Sequence, residues 1–359
     1  MRNAAPTIHF AFDPGAVQWN DIERLDESDI ARTPHRFVGG RNSWVAQTFV
    51  RLRRHIEARG WNATAGPRGV PGAITIVHRD DANDFRGGGH ASLLVVVRAD
   101  RAPVVACDYA IVQNGIAPKS HERFIPLWPQ PGLTPRDSRR GTKIERIAYH
   151  GRTGAAPSWF YDESLQRSLW RRGIRFDVRE AFWEDYETVD IAIAARDEVP
   201  GILATKPATK VYNAWLAGVP VLAAPEPAYR ELRRSPLDFL EIHDAEDVLR
   251  GVDQLRANAA LYKEMVANGL ARGSEFTVRA VRRRWMELLE REFVPAFWAA
   301  RDRLPSRRLW FMGAMARQKI ESRFYRMRIA MQRSRRIEPD AAVAPASTAE
   351  SYFPHSRRV

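Results

Sequence analysis

Thr205-Lys-Pro-Ala-Thr-Lys-Val-Tyr-Asn-Ala-Trp-Leu-Ala-Gly-Val-Pro-Val-Leu-Ala-Ala224 reads as a loop, a short helix and a strand, and that reading decides the fold. Pro207 suits a loop or a first helical turn, where its missing N–H costs nothing. Val211, Trp215 and Leu216 fall near helical spacing and give an apolar face that packs on a sheet. Gly218 stands where a helix C-cap needs a left-handed residue, and residues 219–223 form a short buried-strand run. The helix start, with Lys206 and Lys210 beside it, offers unpaired backbone N–H groups, partial positive charge and two ammonium groups, a combination suited to phosphate. The alternative is an ordinary solvated helix start, where exposed lysines are common. Lysine is scarce here. Of 56 Lys plus Arg only six are lysine, at 119, 143, 206, 210, 263 and 319, so two within one short loop carry more weight than any arginine would.

Around this stretch the chain alternates helix-like and strand-like segments. Residues 42–59 carry apolar groups at 45, 49, 52 and 56, an amphipathic helix ending at Gly60. Residues 73–78 and 92–97 are short β-branched runs suited to interior parallel strands covered on both faces. Residues 104–106 and 109–112 read as two more strands. Residues 118–140 carry Pro126, Pro129, Pro131 and Pro135 and read as an ordered extended crossing between domains. Beyond it, strands are expected at 143–149, 174–178, 189–194 and 239–242. Helices are expected at 161–172, 228–234 and 245–256, followed by a long helical run over 258–292. Two halves of strand–helix alternation predict two Rossmann-like doubly wound domains facing a cleft. The expected division is an N-terminal domain over 1–135, a second domain over 136–292, a basic helical segment over 293–336 and a disordered Ala/Pro/Ser-rich tail over 337–359.

Composition narrows the function classes. Hydrophobic content is 45%, and no stretch approaches the roughly 18–20 apolar residues of a membrane-spanning helix. Cys107 is alone, so no internal disulfide forms, and with no apolar leader at the start a cytoplasmic location is the expectation. The nine histidines show no spacing that holds zinc, and there is no Asp-x-Asp, so no metal or other cofactor is expected. Net charge is +13, and residues 301–359 hold 14 Lys/Arg against five Asp/Glu. The body is therefore only mildly basic, and neither a basic face with stacking aromatics nor a recognised motif speaks for nucleic acid. Residues 305–336 carry a stripe of Leu309, Met312, Ala316, Ile320, Phe324, Met327 and Met331 among arginines, a basic amphipathic helix. Its expected fate is packing on the first domain from Pro305 to about Phe324, with Arg326 to Arg336 left to solvent or lipid. The alternative is a peripheral contact with the inner face of an anionic membrane.

In parallel sheets, ligands bind beyond the C-terminal strand ends. Those positions hold Asp80 and Asp81, Asp100 and Arg101, Gln113-Asn-Gly115, Gly151-Arg152 and Arg196-Asp197.

The basic loop running into Asn213-Ala-Trp-Leu-Ala-Gly-Val-Pro-Val, together with Phe124-Ile-Pro-Leu-Trp-Pro-Gln-Pro-Gly-Leu133, the His150-Gly-Arg152 turn and Glu226-Pro-Ala-Tyr-Arg-Glu-Leu-Arg233, resembles bacterial glycosyltransferases of the GT-B fold over about residues 100–290. The resemblance implies transfer of a sugar from a nucleotide-sugar donor to a polysaccharide, glycolipid or similar acceptor. By position, Gly151 and Arg152 match the turn that contacts the donor pyrophosphate, and Lys206 and Lys210 the loop that neutralises the leaving diphosphate. Asn213 and Thr205 stand where many relatives carry the two glutamates of a Glu-x(7)-Glu motif, and Glu226 is the candidate replacement carboxylate. Asp81, Asp100 and His150 are candidate bases. A nucleotide-sugar epimerase of the same fold and a catalytically silent nucleotide-sugar-binding relative remain as alternatives.

Overall fold

The structure is a computed structural model and describes residues 5–13, 15, 17–39, 41–82, 89–116 and 118–337. The first sheet is built from β1 (Thr7–Ala11), β2 (Asn62–Gly66), β3 (Ile74–His78), β4 (Leu93–Val97), β5 (Tyr109–Val112) and β6 (Glu122–Phe124), in the order β2-β1-β3-β4-β5-β6. The second is built from β7 (Arg146–His150), β8 (Arg175–Arg179), β9 (Ile191–Ala194), β10 (Val221–Ala223) and β11 (Leu240–Glu241), in the order β11-β10-β9-β7-β8. Every pairing is parallel. The helices are α1 (Glu27–Arg32), α2 (Arg41–Glu57), α3 (Glu163–Arg171), α4 (Pro200–Leu203), α5 (Thr209–Leu216), α6 (Pro227–Leu232), α7 (Ala245–Ala257), α8 (Ala259–Gly273), α9 (Val278–Leu288), α10 (Val294–Ala300) and α11 (Arg308–Ile337). Two doubly wound parallel domains are thus present, as the sequence predicts.

β3 and β4 are buried at every position, which is why aliphatic residues point to both of their faces. One face of the first sheet packs Phe10, Ile76 and Val95 against Phe49 and Leu52 of α2 and against Trp285, Phe293 and Phe297, which arrive from α9, α10 and the π-helical turn between them. By packing, residues 278–304 therefore lie with the first core. The other face is thinner: Ala11, Val77, Leu94, Val96 and Cys107, with Phe311 of α11 against them. Among the described residues no α-helix lies between β2 and β6. The C-terminal helix supplies the missing layer.

That arrangement corrects two expectations. Residues 104–106 are not a strand: the amides of Val105 and Ala106 donate to Gln318 Oε1 at 3.1 Å each, so a side chain takes the place of a sheet partner. The apolar stripe of α11 does not pack from Pro305 to Phe324. Leu309, Met312, Ile320, Phe324, Met327 and Met331 are all exposed, whereas the opposite side of the helix, with Gln318 and Ile329, is buried. The strands β1, β2 and β6 are elements the sequence reading lacked. The tail beyond Ile337 lies outside the described residues.

The proline-rich crossing is ordered by hydrogen bonds at both ends. Trp128 is buried, its Nε1 donating to Thr48 Oγ1 at 2.9 Å, and Tyr212 Oη donates to Leu127 O at 3.1 Å. Further on, the fully buried Asp190 accepts from Arg136 and Arg140 at 2.8 Å each and from the amides of Glu145 and Arg146 at 2.8 and 2.9 Å. Burial alone would raise the Asp190 pKa, but Arg140, the Glu145 amide and Arg136 outweigh it and hold it below its ordinary value. Replacing it with alanine strands Arg136, itself nearly buried, and should cost about 3–5 kcal/mol of stability by urea unfolding. Because the folded pKa lies below the unfolded one, this contribution is present above pH 3.8 and is lost as the pH falls through the folded value. An Asp190→Ala variant as stable as the parent, with an unchanged acid limb, would contradict this role.

Candidate functional site

In the second sheet the chain leaves β7 through α3 to β8 on one side and returns to β9 on the other, so the winding reverses between β7 and β9. The helices on either side lie on opposite faces: α3 contributes Leu165 and Leu169 to one core, α5 contributes Val211 and Trp215 to the other. A crevice opens at the C-terminal strand ends of such a reversal. His150 and Gly151 end β7 there, and Arg196 follows β9.

Lys210, in the first turn of α5, reaches back into this crevice. Its Nζ donates to His150 O and lies 4.0 Å from the Tyr149 ring centroid. Gly151 makes this approach feasible, since a Cβ there would strike the Lys210 ammonium and sit 2.7 Å from Tyr149 Oη. No side chain caps α5; the Val211 and Tyr212 amides donate to Ala208 O at 3.0 and 3.3 Å, which leaves those of Thr209 and Lys210 at the open end of the helix. Behind Lys210, Arg196 pairs with Glu226, donates to Pro207 O at 3.1 Å and lies over the Tyr229 ring at 5.5 Å. Glu226 Oε1 and Tyr229 Oη are both buried, and the two side chains interact with each other.

The charges are strained in a definite sense. Burial, and then the Arg196 cation, push the Lys210 pKa well below 10.5, against a smaller opposing pull from Glu226. Burial raises Glu226 despite Arg196. Burial lifts Tyr149 to about 12. The cluster thus holds more cation than its one buried carboxylate can balance.

Lys206 lies elsewhere. Its Nζ donates to Asp100 Oδ2 at 2.6 Å, across to the end of β4 in the first domain. Asp100 also meets Arg101 at 3.5 Å, and Arg101 Nε donates to Asp80 at 2.9 Å, so a chain of alternating charges runs from the first sheet to the β9–α5 segment. Asn114 Nδ2 donates to Ala204 O at 2.9 Å and to Lys206 O at 3.2 Å, and the Gly115 amide to Glu231 at 3.2 Å. The two sets of strand ends therefore meet in contact. A cavity of about 40 Å³ remains between them, lined by Gln113, Asn114 and Thr205 among others, room for water rather than a nucleotide. A hollow of about 510 Å³ runs along β8 past Arg146, Arg175 and Phe182, and none of the residues singled out in the sequence lines it.

The sequence-derived residues sort accordingly. Lys210, Gly151 and Glu226 come together, and Arg152 stands exposed at the next position, its charge acting on Glu180. Lys206 and Asp100, read as a cation and a base, are paired with each other. Burial raises Asp100, but Lys206 and Arg101 overcome it and leave a weak proton acceptor. His150 is buried and driven down to about 4, its Nε2–H donating to Asp185 O at 3.0 Å and its ring stacked on Tyr186 at 4.2 Å, so it holds structure rather than taking protons. Asp81 sits in the turn after β3. Asn213 is spent on the crossing: its Oδ1 accepts the Gln130 amide at 3.2 Å. Glu226, read as a recogniser of sugar hydroxyls, faces Arg196 and is 1% exposed. Tyr149 and Tyr229 were missed. The spacing of Glu226 and Tyr229, one helical turn apart after a strand, was the available signal. Among the described residues no three His, Cys, Asp or Glu side chains gather as a metal site.

No protein-family model matches the chain, and no curated protein matches it by sequence. Solved structures similar to it include HepE from Anabaena in complex with UDP and glucose (TM-score 0.43, 11% identity, 79% of this chain and 99% of that one). Sucrose-phosphate synthase from Thermosynechococcus elongatus aligns at TM-score 0.49 and 12% identity over 81% of this chain and 100% of that one. A glycosyltransferase from Rickettsia africae aligns at 0.42 and 9% over 79% and 97%. At TM-scores below 0.5 these likenesses carry no functional conclusion.

The lowered Lys210 pKa has a measurable consequence. Between its folded value and 10.5 the unfolded chain binds the extra proton, so stability rises with pH across that window. The penalty is full below the folded pKa and gone above 10.5. Unfolding measured against pH should show this slope in the parent and its loss in Lys210→Met. Parallel curves would show that the ammonium is not strained.

Proposed function

We propose that the chain is a glycosyltransferase, moving a sugar from a nucleotide-diphosphate donor to a glycan or glycolipid acceptor in surface polysaccharide or glycolipid assembly on the cytoplasmic side. The observation that carries this reading is the enclosed Lys210 ammonium at the strand reversal, backed by Arg196 and flanked by the uncapped start of α5. A site with surplus cation beside an uncapped helix start is complementary to a diphosphate. Gly151 keeps the approach to those groups open, and Arg152 adds a further cation at the rim.

In the proposed reaction the bond from the anomeric carbon to the diphosphate oxygen breaks with its electron pair going to the diphosphate. The acceptor oxygen bonds that carbon and passes its proton to the departing diphosphate. Lys210, with the α5 amides, meets the charge that grows on the leaving group, the term that matters most in a dry site. Lys206 joins it by exchanging the Asp100 carboxylate for phosphate, which removes one of the contacts between the two domains.

Titration calorimetry with a panel of nucleoside diphosphates tests the reading. Each charge-assisted contact is worth about 1.5–3 kcal/mol, so Lys206→Ala/Lys210→Ala should weaken the best binder by about 100-fold or more. Its melting temperature should barely move, because Lys206–Asp100 is a partly exposed pair and Lys210 is strained. An anion beside Lys210 restores its pKa, so binding should take up a proton at pH values between the lowered value and 10.5, seen as a buffer-dependent enthalpy. Unaltered affinity in the folded double variant, or no binding by the parent, would refute the assignment. Turnover of the bound donor separates a transferase from a silent binder.

A further inference from the structure

We infer that the outward face of α11 is a docking surface for an anionic lipid bilayer. At about 100° per residue, Leu309, Met312, Ile320, Phe324, Met327 and Met331 share one side of the helix, and Phe311, Gln318, Ser322, Tyr325, Ile329 and Gln332 share the other. The second side is fixed to the protein along its length. Gln318 caps the Val105 and Ala106 amides, and Arg79 donates to Ser322 Oγ at 3.1 Å. Tyr325 Oη donates to Gly201 O at 3.3 Å, and Gln332 Oε1 accepts the Gly201 amide at 3.0 Å. The helix cannot roll to bury its stripe, because a second set of contacts already claims the opposite face.

The stripe therefore stands in the open, with each of its six large residues more than half exposed. It spans about 33 Å at the helical rise of about 1.5 Å per residue. Arg308, Lys319 and Arg326 fall along one flank and Arg317, Arg328 and Arg335 along the other; Arg323 lies within the stripe, with a stem long enough to carry its guanidinium to the level of the flanks, and Glu321 is the single acid in the helix. Apolar carbon in the middle and cations on both sides match the layering of a bilayer surface, acyl chains beneath and phosphates level with the guanidinium groups. A second copy of the chain fits poorly, because pairing two such stripes sets arginine against arginine. No helix of the described residues is long and apolar enough to cross the membrane, so the contact lies in the plane of the surface. This inference stands independently of the nucleotide reading.

Sedimentation with phosphatidylglycerol–phosphatidylcholine vesicles at low salt tests it on the full chain. The parent should bind these vesicles, bind pure phosphatidylcholine at least about tenfold more weakly, and detach as salt rises. Leu309→Ser/Ile320→Ser/Phe324→Ser/Met331→Ser should lose binding by about tenfold or more, and, changing only exposed positions, should keep the parent melting temperature. Arg308→Gln/Arg326→Gln/Arg328→Gln retains the stripe and should lose the preference for anionic vesicles even if the serine variant proves unstable. Failure of the parent to bind, binding indifferent to both variants, or a stripe-dependent dimer in analytical ultracentrifugation would overturn the inference.

Discussion

A parallel sheet has to be covered on both faces, and the first half of this chain builds a sheet without the helices to do it. β3 and β4 are buried at every position, so neither face can meet water, yet α2 alone contributes a long helix from the segment that forms that sheet. The last third of the chain resolves the shortage. α9 and α10 return to thicken the core on the α2 side, and α11 lies across the thinner face, where small residues such as Ala11, Ala82 and Ala110 allow its close approach. The second domain is therefore enclosed in sequence between two parts of the first core. That closure ties the domains together more firmly than the single proline-rich crossing.

The same economy shapes the electrostatics of the second domain. Arg196 and Lys210 are both drawn inside, and Glu226 answers only one of them. Isolated buried cations are costly, and an arginine, which cannot shed its proton, takes the carboxylate, leaving the lysine to absorb the imbalance through its pKa. A lysine is the right residue for that position. Its protonation can respond to an arriving anion, whereas a second arginine would have to remain charged against Arg196.

Much of this was legible where local rules dominate. The period of residues 42–59 gives α2, short runs rich in Ile, Leu and Val give β3 and β4, and Gly218, at φ +70°, ends α5 as a left-handed cap. β1 and β6 escaped because Thr-Ile-His-Phe-Ala and Glu-Arg-Phe are short, polar in part and defined mainly by their neighbours. Residues 104–106 looked like a strand because Val104-Val105-Ala106 has the composition of one, and only the distant Gln318 shows why it is not. The α11 stripe was read correctly as a stripe and wrongly as a packing face. Periodicity locates an apolar side, but the polar Gln318, Ser322 and Tyr325 won the opposite side by hydrogen bonds that no hydrophobic pattern records. At the site, positions were readable and partners were not: Asp100 was visible at a strand end and Lys206 at a helix start, and their pairing depends on how two domains face one another.

The pairing also connects the parts. The segment from Asp197 to Lys206 touches three things at once. Lys206 holds Asp100 of the first sheet, Ala204 O holds Asn114, and Asp197, Glu198 and Gly201 are held by Arg336, Arg333 and Gln332 of α11. Six residues after Gly201 the chain reaches Pro207, whose carbonyl Arg196 grips, and then the start of α5 with Lys210. The helix with the exposed stripe and one of the contacts between the two sheets are thus anchored on the same ten residues, 197–206, which is why the short α4 segment holds its place without a core of its own.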